Sequence, residues 1–283
     1  MRQELAELWR FRELLFTLVE RDLRIRYKNS LFGFFWSLLN PLLMVGVIWF
    51  VFKFYMRNET PNFSAYILAA YLPYMFFQQS IMDSSQSILQ NMQLVKKVYF
   101  PREIFPLASV CSNFIHFCLA LVVYFVFLGV IYLANPSQSP FSWNMLLLPI
   151  PLAVNFMLSV GVSLFVSAMN TLYEDVKYII QVIMQLLLFA CPVMYFSEFV
   201  ASASGGTNSP GYIAYHLNPV AMLCVAYRKI LVAPQDVKVG GETLAWLPLD
   251  WRLFGICIVV CFAFMILGYR YFNRMKWGFV ERP

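Results

Sequence analysis

Long apolar runs alternate with short polar connections along this chain of 283 residues. A helix needs roughly 20 apolar residues to cross the hydrocarbon core of a bilayer, and several runs approach or exceed that length. We therefore expect an all-α polytopic membrane protein with six transmembrane helices. The predicted spans cover about residues 31–55, 65–89, 104–133, 145–169, 178–196 and 253–272.

The segment before the first span, residues 1–29, has a different pattern. Leucines and aromatic residues recur in it at helical spacing between seven arginine and lysine residues. This pattern predicts a cytoplasmic amphipathic helix that lies in the membrane interface with its apolar face toward the lipid. A soluble helix packed against a partner protein is the alternative. Residues 30–283 are then a single transmembrane domain.

Two connections between the predicted spans have unusual sequences. Residues 91–103, between the second and third spans, form a short, basic and aromatic segment that ends in a proline-containing turn. Residues 197–252, between the fifth and sixth spans, contain only short apolar stretches. We predict re-entrant or interfacial helices on the outer side for that region.

Polar and small residues inside two of the spans predict helix packing. The second half of the second span, residues 78–90, is rich in Gln and Ser, and such side chains should face protein or water rather than lipid. In the fourth span, Ser159, Ser163 and Ser167 follow one another at intervals of four residues. A stripe of small residues of this kind allows two helices to approach closely.

The charge distribution predicts the orientation in the membrane. Charged residues make up 13% of the chain, whereas a soluble domain has about 25%. With six spans and both termini in the cytoplasm, 15 of the 21 Lys and Arg residues fall on the cytoplasmic side and six outside. The net charge of +6 therefore reflects the positive-inside rule rather than nucleic-acid binding. Seven spans would place the basic C-terminal tail outside, which is the weaker interpretation.

The sequence lacks the short motifs of nucleotide hydrolysis and of common hydrolases. It has no GxxxxGK[ST], GxGxxG, HExxH or GxSxG pattern, and its six cysteines include no CxxC pair. Asp83 is the one carboxylate deep inside a predicted span and has no evident partner, and His116 is most simply a packing residue. We expect no catalytic residue and no metal site, and transport that is energised from elsewhere.

Several stretches resemble one family, the type-2 ABC transporter permeases of polysaccharide export, in the same order along the chain. The stretches are RYKNSLFGFFWSLLNP (26–41) at the entry to the first span, LVKKVYFPRE (94–103) at the coupling segment, NTLYEDVKY (170–178) with residues 185–192 around the turn between spans 4 and 5, and LNPV (217–220) in the outer re-entrant region. Residues 202–211 and 235–250 make the outer segment longer than the family pattern.

The resemblance implies a permease subunit of an ATP-driven exporter in the bacterial inner membrane. It implies a homodimer of this chain with two separate ABC ATPase subunits on the cytoplasmic face. ATP and Mg²⁺ would then be bound by the ATPase and not by this chain. The implied substrate is a lipid-linked polysaccharide, such as O-antigen or teichoic acid.

Three groups of candidate site residues follow from the resemblance and from the chemistry of such a substrate. The coupling segment, which would contact the ATPase, contributes Lys96, Lys97, Val98, Tyr99, Phe100, Pro101, Arg102 and Glu103. Clustered basic side chains that could bind the phosphate of the lipid headgroup are Arg21, Arg24, Arg26 and Lys28. Aromatic and amide side chains that could line a glycan channel at the dimer interface are Trp36, Asn40, Gln181, Gln185 and Tyr195.

Simpler interpretations stand beside these. The basic residues also satisfy the positive-inside rule by themselves, and the aromatic residues could pack against lipid. Two other functions also remain open at this point. A type-2 ABC exporter of lipids or drugs would share the fold. A membrane-embedded glycan-modifying enzyme or acyltransferase would act without an ATPase and would need convergent acids or histidines.

Overall fold

The computed structural model describes residues 7–27, 33–97, 100–134, 136, 139–239 and 241–276, and all of their side chains except those of residues 27 and 33–38. In this part of the chain the helices are α1 (Arg12–Tyr27), α2 (Gly33–Phe54), α3 (Phe63–Gln90), α4 (Met92–Lys97), α5 (Ile104–Ala134), α6 (Pro149–Leu172), α7 (Val176–Ala190), α8 (Ser197–Ser204), α9 (Pro210–His216), α10 (Pro219–Leu231) and α11 (Trp251–Met275). A 3-10 helix, Trp143–Leu147, precedes α6. An antiparallel hairpin of β1 (Val237–Val239) and β2 (Glu242–Leu244) precedes α11.

Three of these helices, α5, α6 and α11, are long and apolar enough to cross a membrane. They correspond to the predicted third, fourth and sixth spans, and α2 and α3 cover the predicted first and second. The predicted fifth span is too long, because α7 already ends at Ala190. A proline disfavours the helical conformation of the residue before it, and Cys191, which precedes Pro192, is accordingly extended (φ −95°, ψ 152°).

Side-chain caps and prolines determine where the outer helices begin. The Asn218 side chain accepts a hydrogen bond from the Val220 N–H at 3.1 Å, and Pro219 occupies the first turn of α10. The Asp250 carboxylate likewise accepts from the first turn of α11. An N-terminal Ser, Asn or Asp satisfies a helical N–H that has no partner inside the helix, and proline tolerates that position because it lacks the N–H.

The central helix is α3, which packs against α2, α5, α6, α7 and α10. The serines in its C-terminal half are buried, which confirms that this polar half faces protein. The serine stripe of α6 is also fully buried. It lies on the same helical face as Asn155, whose side-chain amide donates to the carbonyl of Pro73 in α3 at 3.2 Å. The α6 stripe therefore packs toward α3.

The opposite side of α6 packs against α11 with almost no side chain between the two backbones. A Cβ atom on Gly161 would lie 2.6 Å from the backbone atoms of Phe264 and Met265. A Cβ atom on Gly268 would overlap the carbonyl of Gly161. Because backbone atoms cannot rotate away as side chains can, α6 and α11 are held together as one body.

The remaining elements cover the two ends of this bundle. Helix α1 crosses α5 and buries Leu18 and Val19. At the other end, α10 is buried over nearly its whole length and packs against α3 and α11. The sequence predicts short helices for this outer region but does not predict the hairpin. The hairpin is held to the loop after α2, where the Glu59 N–H donates to the carbonyl of Lys238 at 2.9 Å.

The contact between α6 and α11 can be tested with a pair of glycine variants. Gly268→Ala should destabilise the protein by about 1–3 kcal/mol, as overpacking of a filled core does. Gly255→Ala, on the same helix, is the matched control because a Cβ atom there meets nothing within 4 Å. Thermal unfolding in detergent should separate the two variants. Equal melting temperatures would contradict the close backbone contact.

Candidate functional site

The predicted coupling segment folds as a short helix and a turn at the end of the central helix. After α3 ends at Gln90, Asn91 separates it from the six residues of α4. Val95 is buried, whereas Lys96 and Lys97 are exposed. The segment thus directs two cations outward from one turn of helix. Two of the predicted coupling residues, Val98 and Tyr99, lie outside the described residues.

The rest of the predicted coupling segment is turned toward the chain itself. Phe100 is buried and meets the ring of Phe105 edge-on, with centroids 5.4 Å apart. Glu103 is also buried, and its carboxylate pairs with the ammonium of Lys276 at 3.0 Å. Arg102 donates to the backbone carbonyl of Lys276, just after α11. Phe100 and Glu103 therefore anchor the segment to the chain and are not presented at its surface.

The basic residues of α1 differ in their exposure and in their hydrogen-bond partners. Arg24 is exposed and pairs with Glu20 one helical turn earlier. Arg21 donates to the side-chain oxygen of Asn91 at 2.8 Å and pairs with Asp22 at 2.9 Å. The first of these bonds ties α1 to the end of α3. Lys28 lies outside the described residues.

Arg26 joins three helices through one hydrogen-bonded cluster. Its guanidinium donates to Asp83 of α3 at 3.1 Å and to Asn113 of α5 at 2.7 Å. Asn113 in turn donates to the same carboxylate oxygen of Asp83 at 2.8 Å. Asp83 therefore has partners that lie far from it in the sequence. The cluster places an arginine, a carboxylate and an amide at the point where α1, α3 and α5 meet.

Two cavities meet at Arg26. The larger, of about 640 Å³, lies between α1, α3 and α5, and most of its lining residues are of charged, amide or hydroxyl type. Arg21, Asp83 and Ser112 are among its lining residues. The smaller cavity, of about 220 Å³, extends toward α2, where its lining includes Asn40. The described chain therefore has a polar recess beneath α1 at the same end as the coupling segment.

Among the predicted glycan-channel residues whose side chains the structure describes, no hydrogen bond joins one to another. Gln181 and Gln185 lie one turn apart on α7 and are exposed. Asn40 is exposed but belongs to the smaller cavity beside Arg26. The hydroxyl of Tyr195 donates to the carbonyl of Ala190 at 3.2 Å and is also hydrogen-bonded to the hydroxyl of Tyr215. The side chain of Trp36 lies outside the described residues.

A buried ionic cluster at the end of the bundle opposite the coupling segment is absent from the sequence-based predictions. Lys229 of α10 is 3% exposed and pairs with the carboxylate of Glu198 in α8. The Ser197 hydroxyl donates to the same carboxylate at 3.0 Å. Burial by itself raises the pKa of Glu198, but the charge of Lys229 and the hydrogen bonds outweigh it and hold that pKa below its ordinary value. Glu198 is therefore held as a carboxylate.

The neighbouring cation, Arg228, is held by backbone carbonyls. It is 1% exposed and donates to the carbonyls of Tyr66, Val193 and Tyr195. Its guanidinium also lies 4.1 Å from the ring centroid of Tyr66. Arg228 thus fastens the chain after α7 to the start of α3. The sequence signal for this burial was the presence of two adjacent cations inside a short apolar helix. A count of charges, by contrast, assigns both residues to an outer loop.

Taken together, these elements form a multi-pass helical membrane protein with a short helix that exposes two lysines at one end and a buried ionic cluster at the other. The family described as ABC-2 type transporter matches residues 13–232. The match covers most of the chain, and the chain therefore belongs to that family, as its resemblance in sequence predicts. It is a transport subunit of the permease type.

Individual relatives agree with this assignment. Two proteins of Klebsiella pneumoniae, each named O-antigen export system permease protein RfbA, are each 29% identical over 269 residues, which cover 95% of this chain and 94% of the relative. A protein of the same name from Myxococcus xanthus is 30% identical over 224 residues, which cover 79% of this chain and 82% of the relative.

The buried outer ion pair yields a prediction about stability. Glu198→Gln leaves the buried Lys229 ammonium without its counter-charge, which should cost about 3–5 kcal/mol. Glu20→Gln removes the carboxylate of the exposed pair with Arg24 and should cost less than about 1 kcal/mol. Thermal unfolding in detergent measures both. Similar destabilisation by the two substitutions would show that the outer pair contributes no more than a surface pair.

Proposed function

We propose that this chain is the membrane-spanning subunit of an ATP-driven exporter that moves a lipid-linked polysaccharide, of the O-antigen kind, from the cytoplasm across the bacterial inner membrane. The observation that carries the proposal is the length of the alignment to permeases named for O-antigen export, which extends over 95% of this chain. We therefore infer the substrate class from relatives whose alignment includes both the helical bundle and the region between α7 and α11.

The proposed assembly is a homodimer in which each copy crosses the membrane six times and keeps both termini in the cytoplasm. The exposed surface of α7 supports this arrangement, since Met184 is its single buried residue among those described. Gln181 and Gln185 lie on this helix, and amide groups facing lipid would lose hydrogen bonds to water without replacement. A second copy with a polar channel between them would give these amides polar surroundings.

The proposed docking element for a separate ATPase is α4 with the turn that follows it. Lys96 and Lys97 offer exposed cations for acidic groups on the ATPase. Phe100 and Glu103 would then transmit the motion, because both are packed into the chain and neither is presented to the partner. ATP and Mg²⁺ belong to the ATPase in this proposal, and the chain itself contributes no catalytic residue.

The lipid headgroup is proposed to bind beside α1, where the larger polar cavity opens. A lipid-linked glycan carries a phosphate or pyrophosphate at the membrane surface, and guanidinium groups bind such anions through paired hydrogen bonds. Arg21 and Arg24 are the candidates for this role because both side chains keep substantial exposure. Arg21 and Arg24 also have partners within the chain, but Arg26 is less exposed than either and joins three helices, so it is better suited to positioning α1.

The proposal is tested on the complex purified from cells that make the polysaccharide. An ATPase with a Walker motif should copurify with the tagged chain, and a polyprenyl pyrophosphate-linked oligosaccharide should stimulate its hydrolysis of ATP. The double variant Arg21→Gln/Arg24→Gln should keep the ATPase bound but lose most of the stimulation, by roughly tenfold or more if two charge-assisted bonds to the headgroup are lost.

Arg252→Gln is the matched control because this exposed arginine lies at the outer end, at the start of α11. It should leave the stimulation unchanged. A chain that purifies without any ATPase would contradict the exporter proposal. Full stimulation of the double variant would contradict only the assignment of the headgroup site.

A further inference from the structure

The coupling segment contacts Lys276, the residue that follows α11, through both the side chain and the backbone of that lysine. The carboxylate of Glu103 pairs with the Lys276 ammonium at 3.0 Å, and Arg102 donates to the Lys276 carbonyl. The two segments are more than 170 positions apart in the chain. The residues after α4 therefore contact a helix to which they are not directly connected.

The positive-inside rule explains a lysine at this end of the chain, but it does not require that lysine to pair with a buried carboxylate. Glu103 is 1% exposed and the Lys276 side chain 16%. Withdrawing a carboxylate from water is unfavourable unless an opposite charge lies close by. The second oxygen of Glu103, Oε2, is buried and has no hydrogen-bond partner in the part of the chain that the structure describes. The ion pair with Lys276 is therefore the main compensation for burying this carboxylate.

Lys276 is connected to two closely packed helices, α11 and α6. Lys276 directly follows α11, and α11 is locked to α6 through the contact of Gly268 with Gly161. The C-terminal end of α6 is in turn tied to α3, since the Asn170 amide donates to the carbonyl of Ser85 at 2.8 Å. A displacement of the coupling segment that carries Lys276 with it therefore displaces α6 and α11 together.

We propose that Glu103 and Lys276 are positioning residues that pass the motion of the ATPase to the α6–α11 pair. The coupling segment is joined covalently only to α3 and α5. Without the ion pair, its movement would reach α6 and α11 only through side-chain packing, the bond of Arg102 to the Lys276 carbonyl and the hydrogen bonds between α6 and α3. With the ion pair, one docking element acts on four helices at once. This inference rests on the proposed function, because it assumes an ATPase that docks at α4.

The test separates ATP hydrolysis from transport. Glu103→Gln and Lys276→Met should each leave the ATPase bound and its hydrolysis within about twofold of the unaltered complex, while surface polysaccharide falls by roughly tenfold. Lys276→Arg keeps the charge and should keep export. The double variant Glu103→Gln/Lys276→Met should be no worse than either single variant, because both substitutions remove the same interaction.

Hydrolysis is measured on the purified complex, and export is measured as polysaccharide at the surface of the same cells. Arg252→Gln serves as the control, since this exposed residue lies at the start of α11, at the opposite end of the helix from Lys276, and it should change neither quantity. Unchanged export in both single variants would overturn the inference, and so would additive losses in the double variant. An unaltered chain that binds no ATPase would overturn the proposed function and this inference together.

Discussion

A charge withdrawn from water inside a helical membrane protein is stable only beside an opposite charge or several hydrogen-bond partners, and this constraint shapes the whole structure. At the end of the bundle opposite the coupling segment it joins Lys229 to Glu198 and surrounds Arg228 with backbone carbonyls. At the other end it joins Glu103 to Lys276. Each of these contacts links segments that are distant in sequence. The ionic contacts therefore fix how the helices are arranged at the two ends of the bundle, where apolar packing alone is less specific.

The same contacts explain how a chain without nucleotide-binding motifs can belong to an energy-driven transporter. The α4 element presents cations outward, while the turn after it is anchored inward through Phe100 and Glu103. An element of this shape suits the transfer of force, because one face is available to a partner and the other is fixed to the bundle. Because Gly161 lies directly against Gly268, α6 is fixed to α11 and is thereby also connected to the turn after α4. The buried serine stripe of α6 and the hydrogen bond of Asn155 in turn connect α6 to α3.

The helical class, the two polar connections and the family could all be predicted from the sequence, because hydrophobic runs and local motifs carry that information. The predicted fifth span runs to residue 196, whereas α7 ends at Ala190, just before the Cys191-Pro192 pair that marks its end in the sequence. The partners of Asp83 could not be predicted, since Arg26 lies 57 residues away and pairing of this kind depends on the tertiary fold. The burial of Arg228 was missed for the opposite reason, because a charge count assigns every outer cation to the water-exposed side. The inward position of Phe100 likewise depends on its contact with Phe105.

The most direct test of this account is to find where the ATPase touches the chain. Lysine-reactive cross-linking of the purified complex, read by mass spectrometry, distinguishes the two ends of the molecule. Lys96 and Lys97 are exposed on α4, and Lys238 is exposed on the outer hairpin. We expect cross-links from Lys96 or Lys97 to the ATPase and none from Lys238. Cross-links that join the ATPase to Lys238 and not to α4 would contradict it.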